Sequence, residues 1–434
     1  MKHSIHFRTV LLFAVLVGRF PPSLAGEPAK PAGTGTARNV ILMIGDGMGL
    51  AQISAARYHK GELAVGEMRH VGFSDTHSLR NFVTDSSAGA TALATGYLIV
   101  NGEVAVAFDG TPLKTLIGYA KECGKWTGVV VTSRVTHATP ASFMAHVKSR
   151  GNEYEIALQI ATNGAEVILG GGWDMFLPPS SRSVKATERE ATTVLVGAGD
   201  LPGSQRAVLL AEKPLVDLDG KPCGTRTDQR NLIAEMLRQG YRFVRTPGEL
   251  SLITSGPPGK VIGLFHSGPM PRVTEGRTPS LSAMALAALE ILMQSPNGFF
   301  LIIEGSQIDW GCHENNFDYA MEEAADLDTT VGAVVRFLKK AGIDGDSLVV
   351  VTADHETGGL TLNARGDLPL GFEPRWTTKD HTGVPVPVFA AGPRADLFSG
   401  MQSHERIGRS LIETVVGHGV SFSYPPDGSY PSRN

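Results

Sequence analysis

Cysteine is scarce in this 434-residue chain, and what a sequence lacks excludes whole classes of protein. Cys123, Cys223 and Cys312 are too few, and odd in number, for a disulfide framework, leaving room for one bridge in an oxidising compartment. The same scarcity rules out a Cys-rich zinc site, so any metal must be held by His and carboxylates. A basic surplus is missing as well: 39 Lys and Arg face 43 Asp and Glu, a formal net charge of −4. That balance argues against nucleic acid as the main partner, since nothing in it neutralises a phosphate backbone. Long apolar runs are absent too. The run Val10–Val17 falls far short of the roughly 20 residues a membrane span needs. No later segment comes closer, and no internal repeat stands out.

A hydrophobic share of 42% is enough for a sizeable core, and 51 glycines imply many tight turns. Lys2 and Arg8 precede the apolar run, and Ser23-Leu24-Ala25 offers a small-x-small cleavage site, so residues 1–25 read as a signal peptide. Cleavage there removes three cations, Lys2, Arg8 and Arg19, and takes the net charge from −4 to −7. The expectation is an exported protein, periplasmic or secreted. It has a flexible leader over 26–37, one catalytic domain over 38–425 and a polar tail over 426–434.

Seven apolar, β-branched runs read as strands: Asn39–Ile44, Thr127–Thr132, Glu166–Leu169, Lys260–Phe265, Phe299–Ile303, Ser347–Thr352 and Pro385–Ala391. Helical patterns lie between or after them near 113–123, 153–163, 228–239, 280–294, 317–340 and 404–416. Such alternation predicts an α/β fold, a three-layer sandwich with a central mostly parallel sheet covered by helices on both faces. Residues 178–227, rich in Pro, Ser, Gly and charge, read as an irregular insertion.

Chemistry collects at the strand ends. Asn39–Ile44 runs into Gly45-Asp46-Gly47-Met48-Gly49, Phe299–Ile303 into Glu304-Gly305, and Ser347–Thr352 into Ala353-Asp354-His355. In parallel α/β sheets these ends form the ligand crevice. Asp46, Glu304 and Asp354 brought together there repel one another, and metal ions are the simplest remedy. Asp309 and His313 are four apart, on one face of a helix. His313, His355 and His381 all adjoin Asp, Glu or Gly at loop junctions, whereas His59, His70, His77, His146, His266, His404 and His418 read as structural or solvated. Imidazole and carboxylate without thiolate suit a catalytic zinc site. In T-D-S-S-A-G-A, Asp85, Ser86 and Ser87 precede small helix-compatible residues, where backbone N–H groups can hold an anion. Asp and Ser are also ordinary N-cap residues, so either serine, or neither, is the reactive one on this pattern alone. His137-Ala138-Thr139-Pro140 starts a further helix, with Thr139 as cap and Arg150 near its end as a guanidinium fork for phosphate.

With G-D-G-M-G, T-D-S-S-A, H-A-T-P-A…S-R, E-G-x-x-I-D-x-x-x-H, T-A-D-H-E and H-T-G in this order, the chain resembles the metal-dependent alkaline phosphatase family from about Asn39 to Phe422. The resemblance implies hydrolysis of phosphate monoesters through a phosphoserine on Ser86, with Arg150 as phosphate clamp. It implies one zinc on Asp309, His313 and His381 and a second on Asp46, Asp354 and His355. A magnesium would take Asp46, Thr139 and Glu304, with Asp85, His137 and Trp310 flanking the site, and a homodimer is possible. The chain departs from the enterobacterial pattern at His137, where an acid is usual, and at Trp310, where Lys is usual. Weaker magnesium binding and weaker phosphate retention are the expected consequences. Rival readings are a phosphodiesterase or sulfatase of the wider superfamily, or a non-catalytic metal- or phosphate-binding protein. Cys312, beside His313, is either a buried thiol or an oxidation-prone one.

Overall fold

The computed structural model describes residues 37–179, 224–254, 259–367 and 371–422. The expected signal segment, nearly all of the leader, most of the insertion, the tail and Cys223 lie outside the described residues.

In chain order the first elements are β1 (Asn39–Gly45), α1 (Leu50–Lys60), β2 (His70–Asp75), α2 (Ser86–Thr95), α3 (Leu116–Glu122), β3 (Trp126–Arg134) and α4 (Ala138–Met144). There follow α5 (Glu153–Asn163), β4 (Val167–Gly171), α6 (Leu232–Arg238), β5 (Arg242–Val244), α7 (Pro247–Thr254), β6 (Val261–Leu264) and α8 (Leu281–Leu292). Next are β7 (Phe299–Gly305), α9 (Gln307–His313), α10 (Phe317–Ala341), β8 (Ser347–Thr352), β9 (Glu356–Thr357), β10 (Thr361–Ala364) and β11 (Phe372–Arg375). The last are β12 (His381–Thr382), β13 (Val386–Ala391), β14 (Gly400–Ser403) and α11 (His404–Val416).

Ten strands form one sheet in the order β14-β2-β13-β8-β1-β7-β3-β4-β6-β5. All neighbours are parallel except β13, which runs antiparallel to both β2 and β8. The seven strands expected from apolar runs are all in this sheet. Three strands lack such a run and escape that reading: the short β5, the four-residue β14, Gly-Met-Gln-Ser, and the alternating β2, His-Val-Gly-Phe-Ser-Asp with two exposed apolar positions. Side chains alternate between two cores. Val40, Leu42 and Ile44 of β1 face a core shared with α2, α3, α5 and α11, while Ile41 and Met43 face one shared with α8 and α10. That alternation is the three-layer sandwich. The longest helix, α10, is capped by Asn316, whose side chain accepts from the Tyr319 N–H, and is ended by left-handed Gly342.

One local expectation needs correcting. α4 does not run from a Thr139 cap to Arg150: His137 is its N-cap, Thr139 lies inside it, and it stops at Met144. Val147 is drawn instead into a bridge with Val104, through N–H···O bonds of 2.9 and 3.0 Å, which pulls the backbone out of helix. Arg150 follows in a turn.

Candidate active site and metal cluster

β8, β1 and β7 lie side by side, with Ile44 of β1 flanked by Thr352 and Glu304. Their carboxyl ends therefore deliver Asp354, Asp46 and Glu304 to one point, and all three are fully buried. Gly47 permits the turn there. Its φ is +75°, and a Cβ on it would stand 2.7 Å from the Asp309 Cα.

Both oxygens of Asp46, Oε1 of Glu304, Oδ2 of Asp354 and the Thr139 hydroxyl are buried without a hydrogen-bond partner. Burial, then the charges of Asp354, Asp309 and Glu304, push the Asp46 carboxyl well above the usual range. Burial, then Asp309 and Glu304, does the same to Asp354, and burial raises Glu304 to about 7. Unpartnered buried carboxylates in such numbers are costly unless cations neutralise them. The donor set therefore fits metal ions.

The histidines point the same way. His381 Nδ1 donates to the Thr84 carbonyl at 3.0 Å, and His313 Nδ1 donates to the Lys379 carbonyl. Both Nε2 lone pairs are thereby turned inward, 3.2 Å from one another. Asp309 joins them, its oxygens 3.3 Å from His313 Nε2 and 3.7 Å from His381 Nε2. Such a trio calls for a cation. The Asp309 hydrogen bond accordingly raises His313 to about 9. Burial opposes ionisation of Asp309, but the His313 hydrogen bond and the neighbouring imidazoles hold it below the usual carboxylate range.

His355 centres a second group. Its Nε2 lies 3.3 Å from Ser86 Oγ, 3.4 Å from Asp354 Oδ2 and 3.6 Å from Asp46 Oδ1. Burial depresses its pKa well below the usual histidine value, which keeps the ring neutral. A third group brings ligand atoms of Asp46, Glu304 and His137 within 4.8 Å of one another. The sequence placed His137 beside the site, whereas here a ring nitrogen stands among the candidate ligand atoms. Burial, then Arg150, pushes its pKa down to about 3.

Ser86 opens α2, and Asp85 caps that helix by accepting from the Ala88 N–H at 3.0 Å. The two serines differ in occupation. Ser87 Oγ donates to both Asp85 oxygens at 2.9 Å, whereas Ser86 Oγ meets His355 at the metal-type cluster. Asp85 also accepts from the Gly102 N–H at 3.0 Å and pairs with Arg150 Nη1 at 3.1 Å. The other terminal nitrogen of Arg150 donates toward His137 Nε2 at 3.4 Å, and the Trp310 and His137 rings form a T-shaped pair with centroids 5.9 Å apart.

Several residues around the ligands were not singled out from sequence. Thr357 donates to Asp309 Oδ1 at 2.5 Å and accepts from His355 Nδ1 at 3.1 Å, tying one ligand group to the next. Ser306 donates to Glu304 Oε2 at 2.7 Å. Each lies two or three residues from a ligand, but small hydroxyls in loops carry no pattern of their own. His404 is structural, as expected: its Nε2 donates to the Asp354 carbonyl at 2.8 Å and its Nδ1 accepts from Ser74. Cys123 and Cys312 are free thiols, and burial raises the pKa of Cys312, which marks it as the buried, unreactive alternative. Among the described residues no helix is long and apolar enough to cross a membrane.

Comparison with known proteins converges on one family. A family model described as alkaline phosphatase matches residues 37–375. Alkaline phosphatase 4 of Bacillus subtilis (strain 168) is 33% identical, over 86% of this chain and 72% of that protein. The solved structure of alkaline phosphatase from the Antarctic bacterium TAB5 is 34% identical and superposes with a TM-score of 0.73, covering 88% of this chain and 99% of that one. A variant of the TAB5 enzyme with Asp replacing a histidine, solved with Mg bound in its M3 site, is 33% identical with a TM-score of 0.72, over 89% and 99% of the two chains. The chain belongs to the alkaline phosphatase family and is a phosphate monoester hydrolase.

Proposed function

We propose that Ser86 is the nucleophile of this phosphatase and that Arg150 clamps the phosphoryl group it accepts. The observation that carries the proposal is the Ser86 hydroxyl at the start of α2, 3.3 Å from His355 Nε2 and free of the bonds that occupy Ser87. Zinc ions on Asp309, His313 and His381 and on Asp46, Asp354 and His355, with magnesium on Asp46, Thr139 and Glu304, would supply positive charge to the attacking and leaving oxygens. Phosphate monoester hydrolysis needs accelerations up to about 10²¹, beyond the roughly 10²–10⁴ of acid–base help, so this charge is energetically required.

The chain's own residues do the rest. Ser86 Oγ attacks phosphorus and the alcohol departs. Water then cleaves the phosphoserine and restores the hydroxyl. Arg150, kept in place by Asp85, offers a fork of donors to two phosphate oxygens, and the first N–H groups of α2 add to it. His137, neutral through burial, adds no positive charge beside the phosphate. The magnesium in the TAB5 variant supports a third metal position in this family. Export is our reading of residues 1–25, with 38–425 as the catalytic unit.

Acid quenching during turnover of p-nitrophenyl phosphate tests the nucleophile. The native enzyme should yield a phosphoprotein and the Ser86→Ala variant none. A phosphoenzyme formed by that variant would sink the assignment.

A further inference from the structure

Outside the ligand set lies a second buried polar group, and it touches each segment that carries a zinc ligand. Gln52 of α1, 1% exposed, accepts from the Gly49 N–H at 3.1 Å, three residues after Asp46. Its amide donates to Glu356 Oε1 at 2.8 Å and to the Thr357 carbonyl at 2.9 Å, with Cys312 Sγ, beside His313, at 3.6 Å. Glu356, 5% exposed, accepts on its other oxygen from the Thr382 hydroxyl and from the Gly359 N–H at 3.2 Å. No partner in this group is a cation, so the carboxylate is held by neutral donors alone. Gly49 makes room for it: a Cβ there would stand 2.4 Å from Glu356 Cγ.

The need for such a group follows from the local fold. His381 reaches the site on β12, a two-residue strand paired only with the two residues of β9. A ladder that short is marginal on its own. Yet the His355 and His381 rings stack with centroids 3.6 Å apart, so small displacements of β12 change the spacing of the two ligand groups.

We infer that Gln52, Glu356 and Thr382 form a latch of positioning residues that holds His381 against the His355–Thr357 segment and so sets the retention of zinc at the Asp309–His313–His381 position. This rests on the ligand assignment proposed above. The latch acts by hydrogen bonding to the segments that carry ligands and has no contact with substrate to make. Outer partners of metal ligands typically change metal affinity by about 10–100-fold when removed.

The test is zinc release from the loaded enzyme into a chromogenic chelator, with zinc equivalents counted. Thr382→Val, which removes one hydroxyl at constant size, should release one equivalent about tenfold faster and leave the second at the native rate. Glu356→Gln should also accelerate release, because in either orientation its amide nitrogen faces another donor, the Gln52 amide or the Gly359 N–H. Native rates to within about twofold in both single variants overturn the latch, given the effect sizes expected of outer partners. Equal acceleration of both equivalents also overturns it. His381→Ala serves as the control for the site itself: if it leaves zinc release unchanged, the ligand assignment fails and the latch with it.

Discussion

With neither carboxylate oxygen hydrogen-bonded and three other acids raising its pKa, Asp46 belongs to two of the candidate ligand groups at once. A residue so placed is useful only to cations on both sides. His137 is its counterpart on the third position. A neutral imidazole brings no negative charge to a hard ion such as magnesium, which prefers oxygen. Trp310, in a T-shaped contact with that ring, fills with apolar surface a place where a lysine would carry charge. The double variant His137→Asp, Trp310→Lys should therefore bind magnesium more tightly and be inhibited by inorganic phosphate at roughly tenfold lower concentration, about the worth of one hydrogen bond to a charged group. Phosphate inhibition unchanged from the native enzyme would remove this account of the two positions.

α2 shows why the small residues after Ser86 matter. All ten of its residues are buried. Gly89 lets it lie against the Asp354 loop, for a Cβ there would meet the Asp354 carbonyl oxygen at 2.6 Å. Helix and ligand loop are thus in contact through a position with no side chain, and the depth of Ser86 in the cluster depends on it. Gly89→Ala should push the helix away and lower kcat by about 100-fold, the usual effect of a misplacement near 1 Å, while far-UV circular dichroism stays native. Gly66→Ala, where a Cβ meets nothing within 4 Å, is the matched control and should leave kcat unchanged. Equal kcat in the two variants would contradict this role for Gly89.

Across the whole molecule, the same carboxylates link function to stability. Folding forces Asp46, Glu304 and Asp354 out of water together, so metal bound to the native state and not to the unfolded chain must stabilise the fold. Chelation should lower the thermal midpoint and restored zinc should raise it, adding about 1.4 kcal/mol of stability for each tenfold excess over the dissociation constant. A midpoint indifferent to chelation, with activity abolished, would separate the metal from the fold and refute the link. The α/β class, seven of the sheet strands and the carboxylates at three strand ends were legible in the chain, because periodicity and burial are written locally in runs such as Val40–Ile44 and Phe299–Ile303. Family resemblance also placed Ser86 ahead of Ser87 by motif. It took the assembled fold to show that β8, β1 and β7 are neighbours, that β13 runs antiparallel, and that α4 stops short of Arg150. That fold alone brought a nitrogen of His137 among the ligand atoms and put Thr357, Gln52 and Glu356 behind them. These are contacts between residues up to hundreds of positions apart, created by strand order and loop packing, and no local pattern carries them.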